Sequence, residues 1–123
     1  MELNSLYTAQ AHNAGAEMRL LGPDGSSTDV YLLIAGVDSD VWRKAIRESQ
    51  RAAVERLVAG EASEEKDNAT LLSMATLDWR GLTDNGEEVE FSPEKAEELY
   101  RNAPYIADQV DRFIAKRANF TQG

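Results

Sequence analysis

Chemistry in a protein of 123 residues would need a general base, an activated nucleophile or a set of metal ligands, and this sequence offers each only in fragments. His12 is the one histidine. It stands in a polar stretch with no cysteine and no fixed carboxylate beside it, which reads as a surface histidine and not as a base poised to take a proton. Eight serines supply hydroxyls, but none sits in the Gly-x-Ser-x-Gly turn that exposes a nucleophile, and Ser39 and Ser92 stand where helix N-caps belong. Two acidic groups, Glu61, Glu64, Glu65 and Asp67, and then Asp84, Glu87, Glu88 and Glu90, have the hard oxygens a cation wants. Neither has the ligand spacing and glycine position of a calcium loop. With no cysteine there is no thiolate metal site and no disulfide framework. The stretch from Gly22 to Ser27 is rich in turn-formers but lacks the lysine and spacing of a phosphate-cradling loop. No catalytic residue, cofactor or metal site is expected, and the expected protein is not an enzyme.

What remains is surface that can bind. Tyr100, Tyr105, Phe113, Ile114 and Phe120 give the C-terminal segment more aromatic and aliphatic area than a two-helix cap needs for packing. Tyr105 and Phe120, the second close to the C-terminus, are the foremost candidates for contact with a partner. Phe113 and Ile114 follow, with packing on Trp79 and Leu99 as their competing role. Charge narrows the choice of partner. The net charge of −9 is concentrated: residues 1–36 carry −3, residues 37–60 carry +1, residues 61–98 carry −9 and residues 99–123 carry +2. Such a block repels phosphate backbones, which disfavours nucleic acid, and steers basic segments toward it. Keeping a small protein soluble would account for the same carboxylates. No stretch is long and apolar enough for a membrane span, and residues 1–10 lack the basic start and apolar run of a secretory signal.

The elements that must position these side chains follow from periodicity and turn chemistry. Residues 1–13 are polar without a period and are expected to fray or to begin a strand. Residues 17–21 and 30–34 flank the turn-formers as a hairpin, and Val30 to Ile34 is apolar on both faces, as in a strand buried or covered by a helix. Asp38-Ser39-Asp40 offers N-caps to a helix with Trp42, Ile46, Ser49, Ala53 and Leu57 on one face, ended by Gly60. Arg43, Lys44, Arg47 and Arg51 share that helix with Glu48 and Glu55 and predict a solvated face with internal ion pairs. Residues 61–68 read as an acidic loop or a first helical turn. Leu72, Ala75, Thr76 and Trp79 predict a short helix over 69–79, capped by Gly81, with Trp79 in the core. Asp84-Asn85-Gly86 is tight-turn chemistry, and Val89 and Phe91 alternate with Glu88 and Glu90 as in a half-buried strand. Ser92-Pro93 and Asn102-Ala103-Pro104 each start a helix, the second presenting Ile106, Val110, Phe113, Ile114 and Arg117 at three-and-four spacing. The sum is one α+β domain over 1–123, mainly helical, with a small antiparallel hairpin sheet in the N-terminal half and about four helices.

The run Trp79-Arg80-Gly81, an acidic turn, Phe91-Ser92-Pro93-Glu94 and then a Pro104-started helix with an aromatic near its end resembles the C-terminal half of tail assembly chaperones from long, non-contractile-tailed bacteriophages and prophages. Leu20-Leu21-Gly22-Pro23-Asp24 and Asp38-Ser39-Asp40-Val41-Trp42-Arg43 extend the likeness into the N-terminal half. The resemblance implies a non-enzymatic partner of the tape measure protein that keeps that chain soluble in the host bacterial cytoplasm and is absent from finished virions. It also implies a longer frameshifted product that recruits tail tube protein, with a chain ending at Gly123 as the short form, and weak self-association. Two other readings remain open on the residues: a small structural virion part at the head-tail joint or tube end, and an acidic mimic of nucleic acid.

Overall fold

The computed structural model describes residues 1–121. Its architecture is α+β and mainly helical, with 55% of the chain in helices. A short 3₁₀ turn, Leu3–Leu6, leads into α1 (Ala9–Ala14), then the hairpin β1 (Ala16–Leu21) and β2 (Ser27–Ile34). The helices α2 (Asp40–Val58) and α3 (Glu64–Ala75) follow, then β3 (Thr76–Arg80), the small hairpin β4 (Thr83–Asp84) and β5 (Glu87–Glu88), and the helices α4 (Pro93–Asn102), α5 (Pro104–Ala115) and α6 (Ala118–Thr121). The four helices expected from periodicity correspond to α2 to α5. The short α1 and α6 have no sequence period long enough to register.

The main sheet has the order β1-β2-β3, antiparallel throughout. Met18 pairs with Leu32 and Leu32 with Trp79, which puts one apolar row on the inner face. Leu32 and Ile34 are fully buried there, and α3 and α5 supply Leu72, Ala75, Val110 and Ile114 to the same core. The outer face carries the row Arg19, Tyr31 and Arg80. Its apolar members Tyr31 and Leu33 are half-buried, and the Arg80 guanidinium lies 4.0 Å from the Tyr31 ring centroid while pairing with Glu17 at 2.8 Å. Arginine stems thus shield a face for which the sequence suggested a helical cover.

The segment 69–79 is where the structure departs most from the periodicity. The helix stops at Ala75, and Thr76 to Arg80 become the third strand, so Trp79 is a sheet residue and not the last turn of a helix. Thr76 explains the stop: its hydroxyl bonds back to the Leu72 carbonyl at 2.8 Å and meets the buried Tyr100 hydroxyl at 2.6 Å. Residues 76 to 80 then pair with the edge of β2 that β1 leaves open, and Trp79 joins Leu32 on the inner face. Gly81 is therefore no helix cap. It has φ +92, and a Cβ there would run into the backbone carbonyl of Asp29 on β2.

Two caps are as expected, Ser39 and Ser92, each accepting from the backbone N–H three residues on. Ser63, for which no capping role was expected, does the same for α3, so residues 61–63 are the loop and α3 begins inside the acidic segment. Asn102 does not cap α5. It closes α4, its amide donating to the Glu98 carbonyl at 2.8 Å, and α5 starts from Ala103 with Pro104 in its first turn. Asn85 and Gly86 take positive φ in the β4–β5 turn, but the paired residues are Thr83–Asp84 with Glu87–Glu88, ahead of the Val89 to Phe91 stretch expected to be the strand.

Gly81→Ala should cost about 2 to 3 kcal/mol or more, because the strain of a positive φ adds to a backbone collision. Gly86→Ala, with φ +81 but open space around it, should cost about 1 kcal/mol. Urea denaturation of the two variants separates them.

Candidate functional site

A polar cluster gathers at Asp38, where segments at the first and last α-helices of the described residues meet. The carboxylate accepts from the Thr8 hydroxyl just ahead of α1 and from both Nε and Nη2 of Arg117, at 3.1 and 3.2 Å, just ahead of α6. Its backbone N–H donates to His12 Nδ1 at 3.0 Å. The Arg117 guanidinium, then the Thr8 hydroxyl, hold the Asp38 carboxyl down from an ordinary 3.8 to about 2 against the opposing effect of burial. The same pairing raises Arg117.

His12 is fully buried, contrary to the surface position its polar neighbours suggested. Helix α1 turns it inward, its ring lies 4.8 Å from that of Phe120, and Gly36 leaves room for it where any Cβ would strike the imidazole. With Nδ1 accepting, the neutral ring carries its proton on Nε2. That atom is buried without a hydrogen-bond partner, 3.7 Å from Asp38 Oδ2. A base must reach the proton it takes, and a ring with no accessible surface cannot. The His12–Asp38–Arg117 arrangement is a clasp that ties α1 and α6 to the loop between β2 and α2. Among the described residues no group of three or more His, Cys, Asp or Glu is placed to hold a metal ion.

The four residues put forward as partner contacts do not form one surface. Tyr105 is exposed at the start of α5, in a shallow depression with Leu21, Pro23, Gln109 and Arg112. Phe120 is not displayed: only 8% of it is accessible, because α6 folds its ring onto His12 and edge-on to Phe113, 5.4 Å away. Ile114 lies in the core at 2% exposure, and Phe113 is half-buried against it. Tyr100 is also internal, its hydroxyl bonded to Thr76 and its pKa pushed up to about 12 by burial.

Apart from Tyr105, the large exposed apolar side chains lie in places the sequence reading did not put forward as contacts. On the last turns of α2, Val54, Leu57 and Val58 are 58%, 66% and 83% exposed. Leu57 was expected on the packed face. The fully buried residues of α2, Ala45 and Ser49, lie ahead of its last turns, where Arg56 instead turns in to pair with Asp67 and to donate to Thr70 at 2.8 Å. The valines at i and i+4 off the expected stripe were the available signal. Leu3, Leu6 and Tyr7 are exposed in the N-terminal segment.

A second feature is a cleft of about 400 Å³ between α4 and the β4–β5 hairpin, lined by Trp79, Leu82, Val89 and Leu99, with Asp84 and Glu98 on its rim. The Trp79 indole N–H donates to the Val89 carbonyl at 2.9 Å, and its ring stands edge-on to Phe91 at 5.1 Å. Trp79 is thus core, as expected, and also the cleft's floor. The basic residues of α2 pair within the helix only in part, Arg43 with Asp40 and Lys44 with Glu48.

Compared with known proteins, the chain matches a protein-family model described as YdaY prophage protein over residues 34–123. No curated protein and no solved structure gave a significant match. Among the described residues no helix is long and apolar enough to cross a membrane.

Asp38 stabilises the fold as its ionised form. Its contribution should be complete above the ordinary carboxylate range and fade as pH falls through about 2. Asp38→Asn should cost about 1 to 3 kcal/mol at neutral pH, the scale for bonds to a charged group, with the gap to the native chain closing as acid protonates the carboxyl. Urea denaturation at neutral pH and near pH 2 reads it. Phe120→Ala should cost about 3 kcal/mol through the cavity left under α6, whereas Tyr105→Ser should stay within about 0.5 kcal/mol. Thermal melts distinguish the buried ring from the exposed one.

Proposed function

The chain belongs to the YdaY prophage protein family, and from that premise we propose that it is a tail assembly chaperone, which holds the tape measure protein soluble in the host bacterial cytoplasm until tail tube subunits enclose it. Prophage origin and the likeness of its Trp-x-Gly, Phe-Ser-Pro-Glu and Pro-started helix run to such chaperones support the reading. The observation that carries it is the apolar end of α2. Val54, Leu57 and Val58, neighbours at three-and-four spacing, form a ridge in water that the chain's own core does not use. A ridge of that kind suits reversible packing on an amphipathic helix, the form in which a long helical chain exposes its aggregating face. The net charge of −9 keeps a coated complex dispersed. Such a protein works by occupying surface, with no reactive group, and leaves before the virion is complete. A longer frameshifted product would extend the same scaffold toward the tail tube protein, and weak self-association would let several copies coat one tape measure chain.

The test is co-expression with the tape measure protein of the same prophage. The expected result is tape measure protein in the soluble fraction only when this chain is present. Replacing Val54, Leu57 and Val58 with serine should return it to the pellet while the melting temperature of the variant stays unchanged, since these side chains are outside the core. Tape measure protein that precipitates equally with and without the chain would refute the reading. So would finding the chain as a fixed component of purified virions, which would make it a structural part.

A further inference from the structure

We propose that the cleft between α4 and the β4–β5 hairpin is a docking site for a peptide segment whose apolar anchor is flanked by lysine or arginine. This site is separate from the α2 ridge and does not rest on the chaperone reading.

The cleft is preformed. Val89 N–H donates to the Leu82 carbonyl at 2.8 Å, which closes the base of the hairpin, and the Trp79 indole bonds to the Val89 carbonyl. The indole N–H of Trp79 and the backbone groups of Val89 are therefore paired within the hairpin base, and the apolar lining of the cleft comes from Trp79, Leu82, Val89 and Leu99, beside the polar side chains of Thr83 and Asn102. A volume of about 400 Å³ accommodates one or two apolar side chains of a partner.

The rim decides which partner. Asp84 and Glu98 border the cleft, and an adjoining depression that shares Asp84, Val89 and Lys95 adds Glu87, Glu88 and Glu90. Against these five carboxylates stands one cation, Lys95, whose ammonium donates to the Glu90 backbone carbonyl at 3.3 Å. Among the described residues none of the five makes an ion pair, whereas Glu17, Asp29, Asp38, Asp40, Glu48 and Asp67 all do. An apolar floor ringed by unpaired negative charge is complementary to an apolar anchor ringed by positive charge. It repels a phosphate backbone. One segment of this chain approaches the required chemistry, the α2 face with Arg47, Arg51 and Val54, so a second copy is the competing occupant.

The test uses the full chain carrying Trp42→Phe, which leaves Trp79 as the only indole. A short synthetic peptide with a Leu-Leu anchor flanked by lysines is titrated in, beside a matched peptide with glutamates in place of the lysines. The expected result is a saturable change in Trp79 emission with the lysine peptide, at least about tenfold tighter than with the glutamate peptide, an amount equal to about 1.4 kcal/mol, and weakened by salt. Adding Asp84→Asn and Glu98→Gln, both at exposed positions, should weaken the lysine peptide severalfold with no change in the melting curve. Equal affinity for the two peptides, or lysine-peptide binding indifferent to the Asp84 and Glu98 changes, would overturn the proposal. So would sedimentation showing self-association that the same two changes abolish, since the cleft would then hold a second copy.

Discussion

Strand β2 has no free edge: β1 pairs along one side and β3 along the other, and its inward residues Leu32 and Ile34 have no accessible surface. Its backbone groups find partners only if both neighbours are in register, and its apolar face is covered only if α3 and α5 lie across it. That double demand explains why the chain leaves a helix at Ala75 to make a strand, and why Gly81 carries no side chain where β3 leaves β2. Trp79 is drawn into the same row as Leu32 and Met18, and its indole then anchors the Leu82 to Val89 base of the small hairpin. The cleft beside α4 is a by-product of that anchoring. The free edge of β1 is handled differently: Gln109 of α5 matches both the N–H and the carbonyl of Leu21 at 2.9 Å, a side-chain amide standing in for a further strand.

Charge is spent in two ways. Around Asp38 and Arg56 it is turned inward, where carboxylate and guanidinium hold segments distant in sequence: Thr8, His12 and Arg117 converge on Asp38, and α2 is tied to α3 through Arg56 and Asp67. Around the β4–β5 hairpin the carboxylates face water unpaired, adding nothing to the fold and leaving a negative field over an apolar floor. The contrast separates charge that joins distant segments from charge left facing solvent.

Turn and cap chemistry was readable from residues alone because it is local. Ser39, Ser92 with Pro93, and Asn85-Gly86 act within three or four positions of themselves, and each does in the structure what its type requires. The α+β class and helices α2, α4 and α5 were readable for the same reason, as was the hairpin of β1 and β2 around its turn-formers. Composition also placed the acidity correctly in the central block. The display of Phe120 was misjudged because exposure is not local. Phe120 looked displayable by position, but α6 folds it onto His12, while Leu57 looked buried by period and projects where Arg56 takes the place facing α3.

Propensity, capping and charge distribution therefore follow from the amino-acid sequence by itself, since each is an interaction between near neighbours. Whether Thr76 to Arg80 continue a helix or pair with β2, whether His12 is wet or enclosed, and which greasy side chains stay in water were settled only in three dimensions. In each case the deciding partner, β2 for Trp79, Asp38 and Phe120 for His12, Asp67 for Arg56, lies from eleven to more than one hundred positions away in the chain. Apart from the eleven-residue step from Arg56 to Asp67, no window of the length of one helix contains both sides of those contacts.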